Sequence, residues 1–444
     1  ILDFGFWIGQ CAPVLQSKIQ NPKSKIVLSI ASALVLILTC NVLAQRQAQL
    51  SWWDRSPEAR FGHYVIKSDL PTEQVRDIAQ HMNLMDGQYA GLLAFVPVRV
   101  EEKMNVLAFS SQSDYQPTLG ARFGVNATAS GGMFFVTSAG TALAFFTEGL
   151  PQQRIQHVIQ HEGFHQFAYS RFGDDLPPWA NEGLAEFFGQ AIIVGNTMTM
   201  GQCNPRVLIR LQRAVDADTA IPMSRMLSLP SIAWGENLRN GEAALYYAQA
   251  WSMVQFLVYG ENGTHASAFD TYLKHINSGL PAHEAFSRAL GPDIADFESR
   301  WKKWILTAQP SAFVSAMERI EFLSEGALKL NRRGIRPKSL EELKRALQEL
   351  NFEYAMTSHG MQATLQASDE SMFEIPKDAL CRDQPVFVVD RTKPGSLPLR
   401  MRKLEEAHPS PSRITTNGLV PRNLAVRWIR NEDGEIDRYN IEVR

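Results

Sequence analysis

His161-Glu162-Gly163-Phe164-His165 and, a little downstream, Trp179-Ala180-Asn181-Glu182-Gly183-Leu184-Ala185-Glu186 are the two runs that decide how this chain reads. The first lies in a segment, Gln152 to Phe172, that predicts one long helix, stopped by Gly173 and the Pro177-Pro178 pair. Residues four apart on a helix share a face, one turn from each other. Two imidazoles so placed can reach a single metal ion at about 2.0–2.1 Å. Glu162 is rotated off that face. It stands beside the ion rather than on it, which is where a general base is needed. The chain then turns at Asp174-Asp175-Leu176 and a second helix runs back. This brings Glu182 to face the histidines as a third, oxygen ligand, with Glu186 as its nearby competitor.

Taken together, the two runs resemble the gluzincins, zinc metallopeptidases of the MA clan. They are most similar to the MA-like domains of exported bacterial proteins, where a Trp-x-x-Glu-Gly-x-Ala-Glu run follows the histidine helix. The resemblance covers roughly residues 60–307. It implies one Zn2+ per chain held by His161, His165 and Glu182, with Glu162 activating a metal-bound water for attack on a peptide bond. Glu186 matches the family position that hydrogen-bonds a ligand histidine, and Asn181 stands beside it in the same run. Three protein ligands leave one position open, the mark of a catalytic rather than a structural zinc. Manganese, cobalt or iron would also suit this donor set.

The resemblance extends outward from the motif. Aminopeptidase-like gluzincins place an oxyanion-stabilising tyrosine well downstream of the third ligand. Tyr247 stands there, with neighbouring Tyr246 as the alternative. Zincins also place a substrate-pairing edge strand ahead of the histidine helix, which points to Gly131-Gly132-Met133-Phe134-Phe135, with Gly132 and Met133 as substrate-binding residues. Aminopeptidases carry a Glu in that strand where this chain has Phe134, so an endopeptidase or an unusual exopeptidase is expected. His157, one turn before His161, is expected to be a solvated histidine.

Composition narrows the alternatives. The 444 residues carry a net charge of −2 and are 45% hydrophobic and 20% charged, an ordinary globular composition with room for two or three domains. No basic excess points to nucleic acid, and there is no P-loop, dinucleotide-binding glycine turn or nucleophile elbow. The expected partner is a peptide or protein substrate. The competing reading is a zinc-binding but catalytically idle recognition or envelope module. Glu162 argues against it, because a structural site has no use for a base beside the metal. A third reading, with His161 and His165 as plain helix-surface residues, leaves the Trp179–Glu186 run without a role.

Lys23 and Lys25 precede an apolar run from Ile26 to Cys40, followed by Val42-Leu43-Ala44. This predicts a secretory signal cut before Gln45 and an exported protein. The alternative is an uncleaved anchor, the one route to membrane contact. Cys203 and Cys381 then remain, either as one bridge or, as favoured here, as two unpaired thiols.

The expected fold is α+β and zincin-like, with residues 1–44 as extension and signal. A small twisted, mostly antiparallel sheet packs on the histidine helix (about 60–173), followed by a mainly helical lobe (about 174–310) that completes a 45–310 domain. Residues 311–444 form a small C-terminal α+β domain of unknown role. His63–Lys67, Met104–Ser110, Met133–Val136 and Leu143–Thr147 read as strands, and Pro71–Leu93 as a helix. Leu119–Gly132 reads as a loop. Helices are expected over 180–193, 205–217, 242–259, 266–278, 281–290 and 293–307. Ser339-Leu340-Glu341-Glu342 is a capping box. Residues 392–422 read as a linker or meandering loop, and Leu424–Ile429 with Ile436–Val443 as a closing hairpin.

Overall fold

The computed structural model describes residues 53, 56–98, 103–128, 130–150, 152–194, 197–237, 243–358, 361–378, 380–391 and 397–444. The signal segment expected at residues 1–44 lies outside these. Among the described residues no helix is long and apolar enough to cross a membrane. The chain divides into two compact units. Among the described residues, one takes those up to Leu150 together with Glu162–Gly173, and the other takes those from Gln152 to His161 and from Asp174 to Arg444. The division falls inside the histidine helix.

In the first unit the elements are β1 (Glu58–Phe61), β2 (Tyr64–Ser68), α1 (Thr72–Leu93), β3 (Met104–Phe109), α2 (Gln112–Phe123), β4 (Gly132–Thr137), β5 (Gly140–Phe146) and the second half of α3 (Gln152–Phe172). The strands form one sheet in the order β1-β2-β3-β5-β4. The hairpin partners β1/β2 and β4/β5 are antiparallel, whereas β2/β3 and β3/β5 are parallel. The sheet is therefore mixed, not mostly antiparallel as expected. The reason is in the connections. A parallel neighbour needs a crossover, and α1 carries the chain from β2 back to the start of β3.

Alternation along the strands divides the core. Leu107, Phe109, Met133, Phe135, Ala142, Ala144 and Phe146 pack on one face with Tyr115 and Leu119 of α2. The opposite face carries Leu143, beside Gly163 of α3. There the ring of Tyr89 on α1 meets Phe164 and Phe167 of α3 at centroid distances of 5.6 and 5.5 Å. The first part of the loop expected at 119–132 is the end of α2. Ser111 caps this helix by accepting the Asp114 N–H, and Gly124 ends it at φ 68°. Pro117 and Gly120 mask the helix in the sequence, and burial of Tyr115 and Leu119 overrides their low propensity.

The second unit begins with the first half of α3 and continues through α4 (Pro178–Gly189), the short hairpin β6 (Ile192–Val194) and β7 (Thr197–Thr199), α5 (Pro205–Asp216), α6 (Met223–Ser228), α7 (Ser231–Asn237), α8 (Ala243–Tyr259), α9 (Ala266–Asn277), α10 (Ala282–Leu290) and α11 (Ile294–Thr307). The helix expected over 180–193 stops at Gly189, and the chain turns into β6. The packing of α4 on α8 is unusually close. A Cβ on Gly183 would sit 2.5 Å from the Ala250 carbonyl oxygen and 2.9 Å from Val254 Cγ2. Only a residue without a side chain lets the two backbones approach so far. Trp179 closes the other end of α4 against Tyr272, ring centroids 5.5 Å apart.

The same unit holds residues 311–444. They form α12 (Ala312–Asn331), α13 (Leu340–Glu349), the hairpin β8 (Glu353–Ser358) and β9 (Met361–Gln366), β10 (Val386–Asp390), α14 (Leu399–Ala407), β11 (Arg413–Asn417), β12 (Leu424–Arg430) and β13 (Ile436–Val443). Strands β10 to β13 make an antiparallel sheet in chain order. Phe313, Ile320, Leu323 and Leu330 of α12 share one apolar cluster with Ile414, Leu424 and Val426 of that sheet. The stretch expected to be a linker, 392–422, contains both α14 and β11. A buried ion pair organises it: Arg430 Nη2 lies 2.6 Å from Glu405 Oε2, and its Nη1 donates to the carbonyls of His408 and Gly434. The serine half of the capping box forms, Ser339 Oγ accepting the Glu342 N–H at 3.2 Å, while the Glu342 carboxylate accepts the N–H of Lys338, one residue before the cap. Cys203 and Cys381 are both free.

Candidate metal centre

The histidine helix α3 runs unbroken from Gln152 to Phe172. His165 therefore follows His161 by one turn on the same face. Within the second unit, α4 brings two carboxylates to His161. Glu182 Oε2 lies 3.5 Å from His161 Nε2, and Glu186 Oε1 lies 3.2 Å from His161 Nδ1. His161 is only 3% exposed, so its ring is held between two acidic groups in a nearly dry setting. The two contacts differ in kind. The contact with Glu186 falls on Nδ1, at ion-pair distance without hydrogen-bond geometry, and the contact with Glu182 falls on Nε2. Two ligands of one tetrahedral zinc, each about 2.0–2.1 Å from it, stand roughly 3.3 Å apart. The Nε2–Oε2 separation is of that size. Asn181 precedes Glu182 on the first turn of α4, its backbone N–H donating to the Pro177 carbonyl at 2.9 Å.

Of the two tyrosines considered, Tyr247 is the one beside the histidine, with ring centroids 6.4 Å apart. Tyr246 instead packs edge-on against Trp234 at 5.3 Å. Both side chains are buried.

His157 is partly buried rather than a free surface histidine. Its Nδ1 lies 2.8 Å from the Gly189 carbonyl. Ligand-type atoms of His157, His161 and Glu186 all lie within 4.8 Å of one another. A Cβ on Gly189 would come within 2.9 Å of the His157 ring, so the glycine that ends α4 also makes room for this imidazole. Arg154, one turn further up α3, was not singled out in the sequence. Burial pushes its pKa down, against the opposing pull of the Glu186 and Glu321 charges. Its sequence signal is its place on the same helical stripe as His157 and His161.

In the first unit, Glu162 is 4% exposed and its Oε2 accepts the backbone N–H of Phe134 at 2.8 Å. Strand β4 is an edge of its sheet, and the Phe134 N–H points away from β5 on its open side. The edge strand expected from the sequence is therefore present, with the carboxylate of the candidate base bonded to it. Met133 turns its side chain into the α2-facing core. Gly132 is buried at the start of the strand. The side chain on the α3 face is Phe134, whose ring meets Tyr169 at 5.7 Å. Residue alternation on β4 could have shown this, had the buried face been known in advance.

Comparison with known proteins adds a boundary but no activity. Residues 155–277 match a family described as a protein of unknown function, DUF1570. The matched stretch holds His157, His161, Glu162, His165, Glu182, Glu186 and Tyr247. No curated protein matches the chain.

Proposed function

We propose that the chain is a zinc-dependent peptide-bond hydrolase of gluzincin type, with His161, His165 and Glu182 holding the ion. The observation that carries this reading is the seating of His161, with Nε2 toward Glu182 and Nδ1 toward Glu186, on a helix that presents His165 one turn further on. When bound, the ion supplies Lewis acidity that polarises a carbonyl and acidifies water. The protein's own groups do the rest. Glu186 holds the His161 ring in one tautomer and orientation. Glu162 takes the proton of the attacking water on a carboxylate oxygen and returns it to the leaving amine. The Phe134 N–H keeps that carboxylate aimed. The Tyr247 hydroxyl is the donor for the developing oxyanion. The open side of β4 receives an extended peptide by strand addition. The Lys23–Ala44 segment supports action outside the cytoplasm, and Phe134 in place of a glutamate supports endo- over aminopeptidase cleavage.

The test is elemental analysis of the purified full chain beside Glu162→Gln and a His161→Ala/His165→Ala double variant, with peptide hydrolysis assayed in parallel. We expect about one zinc in the first two proteins and none in the third, and hydrolysis in the wild type alone. No zinc uptake by the wild type refutes the site. Zinc without hydrolysis in any peptide pool would instead identify an idle zinc module.

A further inference from the structure

The imidazole of His161 has two nitrogens, and the proposed function uses one of them to hold an ion. The other faces a second set of metal-ligating groups, all inside the second unit. On α3, His157 precedes His161 by one turn, and on α4, Glu186 follows Glu182 by one turn. The two helices therefore repeat one pairing a step apart. Glu182 Oε2 lies 3.5 Å from His161 Nε2, and Glu186 Oε1 lies 3.2 Å from His161 Nδ1. The second separation, like the first, is close to the roughly 3.3 Å between two ligands of one tetrahedral zinc. His157 completes the set, since one ligand-type atom from each of His157, His161 and Glu186 lies within 4.8 Å of the others.

His157 is already held as a ligand would be. Its Nδ1 lies 2.8 Å from the Gly189 carbonyl. A carbonyl only accepts, so Nδ1 carries the proton and Nε2 the lone pair. Ligand histidines are typically fixed in this way, the outer N–H given to a carbonyl or carboxylate while the other nitrogen binds the ion. His157 is only partly buried, so water reaches that side to fill a fourth position. Arg154 is the cation that competes for Glu186. Its charge faces Glu321 as well as Glu186, so it keeps a counter-charge when an ion takes Glu186.

We propose that His157, Glu186 and the Nδ1 of His161 form a second metal site, for a divalent ion of the zinc, cobalt or copper type. With an ion on each nitrogen the His161 ring bridges them as an imidazolate, and its Nδ1 proton passes to solvent when the second ion binds. Two dications then face each other across one ring. The second ion therefore binds at least tenfold more weakly than the first, and the chain as purified carries the first alone. The proposal rests on the hydrolase reading only for the ion on Nε2.

The test is equilibrium dialysis of the full chain against Zn2+, with bound metal counted by elemental analysis, for the wild type, His157→Gln and His165→Gln. Glutamine keeps a donor for the Gly189 carbonyl, and circular dichroism checks the fold of each variant. The wild type should rise from about one zinc to about two as free zinc is raised, and each variant should stop at about one. A wild type that stays at one ion, with none bound by His165→Gln, overturns the second site and leaves the hydrolase site standing. A single ion kept by His165→Gln and lost by His157→Gln overturns the hydrolase reading instead. Extra zinc that His157→Gln also takes up is adventitious surface binding and overturns the proposal. A second readout needs no variant. Loaded with two Cu2+, the wild type should lose most of its low-temperature EPR signal, because two copper spins couple through a bridging imidazolate. The full signal of two isolated coppers would overturn the bridge.

Discussion

Replacing Gly183 with alanine tests the contact that seats both acidic residues of α4. The new Cβ would stand 2.5 Å from the Ala250 carbonyl oxygen, 2.9 Å from its carbonyl carbon and 2.9 Å from Val254 Cγ2. Two of these are backbone atoms in the middle of α8, so no rotamer change relieves the clash. The helices must separate by several tenths of an ångström, and a gap of 0.5–1 Å forfeits about a quarter to a half of each dispersion contact it opens. Overpacking of this kind costs about 3 kcal/mol at the upper end of its usual range. Removing a helical glycine returns about 1 kcal/mol. The net expectation is a loss of about 2 kcal/mol, or about 4–8 °C in melting temperature for a unit of this size. Gly91→Ala is the control. Gly91 lies in α1, is exposed, and would place its Cβ with nothing within 4 Å. It should stabilise by about 0.5–1 kcal/mol. Thermal unfolding by circular dichroism, with the two variants side by side, reads the difference. A Gly183→Ala protein as stable as Gly91→Ala would refute the close approach of α4 to α8, and with it the placement of Glu182 and Glu186.

His81 makes a second test, through pH. Burial lowers its pKa to about 4, and its Nε2 has no partner among the described residues. The folded protein therefore keeps it neutral where the unfolded chain binds a proton. Stability from this group is full above about pH 6.5 and falls as the pH drops toward 4, by about 2–3 kcal/mol at pH 4.5. His81→Leu should flatten the melting temperature between pH 7 and 4.5, and an unchanged slope would show that the imidazole is hydrated in the folded state. In the C-terminal sheet, Arg430→Met strands the buried Glu405 carboxylate and should cost about 3 kcal/mol or more. Urea unfolding followed by Trp428 fluorescence checks it, and a loss below about 1 kcal/mol would mean that water reaches the pair.

The pairing of the two histidines was legible because it depends on one helix. His161 and His165 sit four apart in a segment with clear start and stop signals, and helical geometry alone puts them together. The choice between Tyr246 and Tyr247 was not legible, since adjacent helical residues differ by about 100° and only the packing of α8 says which faces His161. His157 was misread for a related reason. Its partner is the Gly189 carbonyl, a backbone atom with no signature in the sequence. The strands of the first unit were largely visible as alternating apolar runs, but the mixed order of the sheet was not. Period-2 patterning identifies a strand without naming its neighbour. Residues 392–422 looked like a linker because Pro, Ser and Arg dominate there, and the Arg430–Glu405 pair that ties α14 to β12 joins positions 25 residues apart in the chain.

By itself, then, the sequence determined many of the local elements and the one-turn spacing of His161 and His165, because both follow from spacings of a few residues along one backbone. The tertiary structure alone decided which carboxylate meets which nitrogen of His161, and that the Phe134 N–H reaches Glu162. Each of these depends on contacts between elements, set by the closeness of packing that glycines such as Gly183 and Gly189 permit.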